Sequence, residues 1–220
     1  MKFTETFQGD ISVYALTTEG TTERYVLKGL AEKYNGDEKI LYFPHLPFAI
    51  IPTKRYSIFN GILQTLEHPK IWKEKRVKRY IIITDRDKWC SEKEVRRGIC
   101  KGKSLKNEVE KHINKVGMRN ISIQEYTYKY GVTYVIGGTI GGHAVEIFLC
   151  ISGENKDIDE NLSYLYYLKF GEKVDPEWKI IKSCLKKKNI NMVDFIKSTS
   201  EKYLIKSFPH IVNPIKNIDC

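Results

Sequence analysis

The sequence predicts an α/β fold, a mostly parallel sheet flanked by helices over residues 1–153, with a helical C-terminal appendage over residues 154–220 packed on it. Three observations carry that expectation. Residues 11–43 contain a strand–helix–strand unit with short connections, the signature of a parallel crossover. Residues 79–84 (RYIIIT) form an unbroken apolar, β-branched run that reads as a buried strand. Beyond about residue 153 the strand patterns stop and helical periodicity takes over.

In chain order, residues 11–17 (ISVYALT) are apolar and β-prone and end in the small polar cluster TTEGTT. Tyr25, Val26, Leu27, Leu30, Ala31 and Tyr34 then recur at the spacing of one helix face. Gly20 stands where an N-cap would, which puts Glu23 in the first turn, where the helix dipole favours an acid. Asn35-Gly36-Asp37 breaks this helix, and KILYF at 39–43 is a second short strand closed by Pro44. Ile58, Ile62, Leu63 and Leu66 suggest a further helix over 56–66. Ser104 as N-cap begins a helix carrying Leu105, Val109, Ile113 and Val116. Residues 121–126 and 132–136 read as strands. The glycine-rich GGTIGG at 137–142 reads as a tight turn before the apolar HAVEIFLCI at 143–151, although such a segment can also let the backbone approach phosphates. Helical patterns follow at 162–170, 176–187 and 192–203, and the tail from Pro209 is expected to be irregular.

Composition bounds the function. Hydrophobic residues make up 41% of the 220-residue chain and aromatics 12%, enough for a packed core, which excludes global disorder. No apolar run approaches the roughly 18–20 residues a membrane span needs. The opening residues lack the basic flank and apolar core of a signal peptide, so a cytoplasmic location is expected. Five cysteines are widely spread with no C-x-x-C pair, which favours buried thiols over a disulfide framework or a structural zinc site.

The formal charge is +10, and nearly all of the excess lies between Lys70 and Lys106, with fourteen Lys/Arg against five Asp/Glu. Such a stretch can neutralise phosphates and release counterions, as nucleic-acid binders do, although a solvated basic surface has the same composition. Within it, Lys73, Lys75, Arg76, Lys78 and Arg79 lead into the strand at 79–84. Arg86, Lys88, Lys93, Arg96, Arg97, Lys101 and Lys103 follow it and are the candidate nucleic-acid contacts.

Three acids fall where the strand reading puts loops. Glu19 follows the first strand, and Asp85 and Asp87 follow the strongest one. In a parallel sheet the carboxyl ends of the strands share one rim, and ligands bind there. Residues two apart on an extended segment point to one side, so Asp85 and Asp87 can face one ion; hard oxygen ligands suit Mg²⁺ or Mn²⁺. An ordinary loop also accommodates these acids, with Asp85 paired to a cation, Asp87 capping a turn and Glu19 in solvent. Glu146 is a lone acid in an apolar strand, either a further ligand or an acid on the solvent face paired with a lysine. His143 reads as structural more readily than as catalytic. Tyr126, Tyr128, Tyr130 and Tyr134 can stack on bases, but at alternating spacing they also mark one face of a sheet.

The pairing of strand, Glu19-Gly20 and helix with a later strand and Asp85-x-Asp87 resembles the signature of the Toprim (topoisomerase–primase) superfamily. The phrase TEGTTE at 18–23 is similar to the Glu-Gly-x-Thr-Glu opening of its small stand-alone members, among them the overcoming-lysogenisation-defect nucleases. The segment with Glu146 is similar to a second acidic element those proteins carry. The resemblance covers residues 10–150 and implies a Rossmann-like core and a Mg²⁺ or Mn²⁺ site. It implies a general acid–base role for Glu19, metal ligation by Glu19, Asp85, Asp87 and Glu146, and a nuclease acting on DNA or RNA. The chain departs from the pattern in its heavier basic run and in lacking a third aspartate. A non-catalytic nucleic-acid-binding module and a primase-like nucleotidyl transferase are the alternatives, and a homodimer is left open.

Overall fold

The computed structural model describes residues 1–6, 11–17, 21–34, 39–44, 59, 62, 78–101 and 103–218. Glu19 and Gly20 lie outside them. So do Lys73, Lys75 and Arg76, and the helix expected over 56–66 apart from Phe59 and Ile62, both buried.

Among the described residues seven strands form one sheet: β1 (Lys2–Thr4), β2 (Val13–Thr17), β3 (Ile40–Tyr42), β4 (Arg79–Asp85), β5 (Arg119–Tyr128), β6 (Gly131–Ile140) and β7 (His143–Ser152), in the order β1-β3-β2-β4-β7-β6-β5. The first five strands of that order are mutually parallel, and β6 and β5 add on antiparallel. The mostly parallel α/β architecture is therefore as the sequence predicts, and consistent with a Rossmann-like fold.

β4 sits at the centre because its side chains are apolar on both faces. Ile81 and Ile83 enter one core layer while Tyr80 and Ile82 enter the other, the period-two alternation of a strand covered on both sides. The first layer holds α1 (Thr21–Lys33) and all five helices of the C-terminal segment. The second holds α3 (Lys106–Lys115), reached through the short α2 (Glu92–Arg96). The C-terminal helices are α4 (Ile158–Phe170), α5 (Trp178–Lys187), α6 (Met192–Lys197), α7 (Glu201–Ser207) and α8 (Pro209–Lys216). They share one continuous core with α1, β2 and β4. At Gly29, on α1, an added Cβ would stand 2.8 Å from Ile196 Cβ, so α1 and α6 approach closely only because that position has no side chain.

Five expectations are corrected. The tail is helical: Pro209 opens α8 at a position where its missing N–H costs nothing, and Ile211, Val212 and Ile215 are buried. The helix expected over 192–203 is two, broken where Asn191 and Ser200 start separate turns and the Thr199 hydroxyl donates to Phe195 O at 2.6 Å. Leu105, not Ser104, holds the N-cap position of α3. Strand β1 was not expected; it is only three residues long and borders β3. Finally, Cys90 and Cys100 are joined in a disulfide, Cα atoms 6.1 Å apart, rather than being thiols. The capping box Ser91–Glu94 starts α2 between them and folds the segment back so that the two cysteines meet. Among the described residues no helix is long and apolar enough to cross a membrane.

The glycine-rich segment resolves into local geometry. Gly141 and Gly142, at φ +55° and +85°, make the two-residue turn between β6 and β7, a conformation that strongly favours glycine. Gly137 and Gly138 lie within β6 beside Met118 and Ser122.

Candidate functional site at the carboxyl rim of the sheet

Because β1, β3, β2, β4 and β7 run parallel, their carboxyl ends share one rim, and β4 delivers Asp85 to the middle of it, in register with Ser152 of β7. Asp85 is only 3% exposed. Its Oδ1 accepts a hydrogen bond of 2.9 Å from the N–H of Ile158, the first residue of α4. Burial pushes its carboxyl well above the usual carboxylate range. The charge of Glu23 adds most to that push, Asp157 and Asp87 add less, and the Ile158 N–H opposes it. Acids from three stretches of chain thus bear on Asp85: Glu23 in the first turn of α1, Asp87 after β4, and Asp157 at the N-cap of α4.

The two members of Asp85-x-Asp87 are not on one extended segment, as the sequence suggested. The strand ends at Asp85, and Arg86–Trp89 is a 3₁₀ turn. Asp87 is half-buried, its N–H donates to Lys156 O at 2.9 Å, and Lys88 Nζ stands 3.8 Å from its Oδ1. It remains within electrostatic reach of Asp85.

Glu146 is elsewhere. It pairs in register with Arg79, at the start of β4, and accepts a 3.0 Å hydrogen bond from the Arg79 Nε. Six residues of strand, roughly 20 Å, separate that end from Asp85. Glu146 therefore cannot share an ion with the rim acids: it enters the sheet from the far side of the β6–β7 turn. His143 belongs to that far end as well.

The candidate basic residues divide. Lys93, Arg96 and Arg97 are exposed on and just after α2. Arg96 pairs with Glu92 at 3.5 Å, Lys103 with Glu94 at 2.6 Å and Lys101 with Glu154 at 2.6 Å. The Lys103 ammonium, with Ser91, pulls Glu94 down to about 2. Arg86 is buried and turned inward, with Nε donating to Gly153 O at 3.1 Å and Nη1 to Cys100 O at 3.2 Å.

Among the described residues no three His, Cys, Asp or Glu side chains form a preassembled metal cage. The donor set nevertheless suits a hard cation. Mg²⁺ and Mn²⁺ take one or two carboxylates and fill the other positions with water and phosphate oxygens, and a crowded carboxylate cluster is stabilised by divalent charge.

A scan of protein-family models, a search of curated proteins and a search of solved structures each returned no match to this chain.

The sequence marked Glu23 as a helix-start residue and as the close of the TEGTTE phrase but not as a site acid, and it passed over Asp157 because the polar stretch 154–160 carries no motif. A signal for Asp157 exists: an Asp immediately before an apolar-periodic run is an N-cap, and here its side chain accepts from Asp159 N–H. Only the ending of β7 beside β4 brings that cap to the rim.

Proposed function

We propose that the chain is a metal-dependent nucleic-acid phosphodiesterase of Toprim-like type, working at the carboxyl rim of its sheet. The observation that carries this reading is the gathering of Glu23, Asp87 and Asp157 around the buried Asp85 at the crevice where open α/β sheets bind ligands. Like charges so placed destabilise the chain by itself, and clusters of this kind are characteristic of functional sites.

In this reading Asp85 and Asp87 would hold Mg²⁺ or Mn²⁺, with Glu23 adding to the acidic side. When bound, the cation polarises a phosphate oxygen. The chain's own contribution is positional. The Ile158 N–H fixes one oxygen of Asp85, and the Lys156 carbonyl fixes the backbone at Asp87. Glu19 moves the proton of the attacking water, the role that the resemblance gives it. The exposed Lys93, Arg96 and Arg97 attract the polyanion to this side of the molecule.

Incubation of the full chain with DNA and RNA in Mn²⁺ or EDTA tests the proposal. Glu19→Gln and Asp85→Asn abolish Mn²⁺-dependent cleavage; cleavage by both at the wild-type rate defeats it. A second reading has its own support. Asp85 already serves the fold by accepting from the N-terminus of α4, so the acids can be structural in a module that only binds nucleic acid. That module shows salt-sensitive binding and no product with any divalent cation.

A further inference from the structure

A cavity of about 350 Å³ opens on the β5–β6 side of the acids. It lies at the small end of the range of small-molecule sites, sized for one ligand unit and not for a duplex. Four cations line it, Arg86, Lys101, Lys103 and Lys129, against two acids, Glu125 and Glu154. Lys101 and Lys103 are engaged by Glu154 and Glu94. Lys129 extends over the rings of Tyr130 and Tyr164, at 4.9 and 5.8 Å, and among the described residues it forms no ion pair, the charge of Glu154 reaching it only from a distance.

Arg86 is the unusual member. It is 4% exposed, and three backbone carbonyls, of Gly153, Cys100 and Lys103, hold its Nε and Nη1. Its Nη2 has no acceptor among the described residues, and no carboxylate there comes within ion-pair distance of the guanidinium. Burial disfavours the charged guanidinium more than the charges of Glu160, Glu125 and Glu154 favour it, and a planar guanidinium held on two nitrogens at the lining of a cavity can take an anion. Ser104 and Thr127 supply hydroxyls, while the Tyr128 ring faces the other side of the sheet, where its hydroxyl accepts from Asn213.

The cavity is tied to the acid cluster by the chain itself, since Arg86 separates Asp85 from Asp87. Along the rim, Asp85 of β4, Ser152 of β7, Gly131 of β6 and Tyr128 of β5 follow in register, so Tyr128 lies three strand spacings, roughly 14 Å, from Asp85.

We propose that this cavity is a nucleotide subsite that takes one phosphate on Arg86 and Lys129, beside the hydroxyls of Ser104 and Thr127. The ligand class rests on the nucleic-acid reading above; the site itself rests on none of the rim acids and needs no metal. The nucleotide is either free or one unit of a strand that continues to the acids.

Calorimetry on the full chain in EDTA at low salt tests this with AMP, adenosine, inorganic phosphate and a short oligothymidylate. AMP or the oligonucleotide binds and adenosine does not; AMP binding marks a free-nucleotide site, and oligonucleotide binding alone marks a strand site. Lys129→Ala and Arg86→Lys each weaken that binding about tenfold, the value of one charge-assisted hydrogen bond. Lys129 is on the surface, so its variant keeps the wild-type melting temperature even if Arg86→Lys does not fold. Unchanged affinity in Lys129→Ala, or equal binding of adenosine and AMP, overturns the proposal. Because no metal is present, that result leaves the Mn²⁺ cleavage test untouched, and loss of cleavage leaves this one standing.

Discussion

Acidification should destabilise this protein through one residue, His210. It lies on α8, fully buried, with its Nε2 2.9 Å from the hydroxyl of Ser152 at the end of β7 and its ring against the backbone of Gly131. Its Nδ1 has no partner, so the neutral tautomer that donates from Nε2 to Ser152 leaves only a lone pair unsatisfied. Burial, aided by the charge of Arg86, lowers the ring from its ordinary 6.5 to about 3. The unfolded chain therefore takes up a proton below about pH 6.5 that the folded chain refuses until about pH 3. Stability contributed by the neutral ring is intact above pH 6.5 and is lost as pH falls, by about 1.4 kcal/mol per pH unit. Between pH 7.5 and 5.0 this amounts to about 2 kcal/mol. Urea unfolding of the wild type and of His210→Gln at the two pH values isolates the effect, because other titrating groups cancel in the difference. The wild type should lose about 2 kcal/mol more than the variant on acidification. Equal losses would refute the reasoning.

Two other experiments test the rim and the disulfide. Asp85 carries the opposite linkage: its raised folded value means that the folded state holds a proton longer than the unfolded one, so stability falls as pH rises from the ordinary carboxylate value towards the folded one. In EDTA at pH 8, Asp85→Asn, which keeps an acceptor for Ile158 N–H, should melt higher than the wild type; a lower melting temperature contradicts the repulsion described. Removing the Cys90–Cys100 disulfide with the paired Ser substitutions frees a loop of sequence separation 10 and should cost about 3 kcal/mol by loop-closure entropy, read from denaturant unfolding. An unchanged midpoint would show that the bridge does not constrain the unfolded chain.

What could be read from the sequence was what local chemistry determines. The strand at 79–84 was legible because Ile81, Ile82 and Ile83 leave no polar face, and α1 because its apolar residues recur at helical spacing. The tail was misread because Pro209, Asn213 and Pro214 look like loop residues, while Ile211, Val212 and Ile215 reveal their role only once a sheet is there to bury them. At the site, Asp85 and Asp87 were visible as acids after a strand, but the 3₁₀ turn between them was not, since Arg86 turns inward to carbonyls of distant segments. Glu146 was misplaced for a topological reason. Its strand is parallel to β4, and it stands at that strand's amino end, a fact that no local pattern encodes.

Mn²⁺ titration of the full chain by calorimetry bears most directly on the rim acids as a cation site. Wild-type protein and Glu146→Gln, changed at the far end of the sheet, should bind Mn²⁺ alike, while Asp85→Asn and Glu23→Gln should each lose most of that affinity. Equal Mn²⁺ binding by all four proteins, or none by the wild type, would contradict the account.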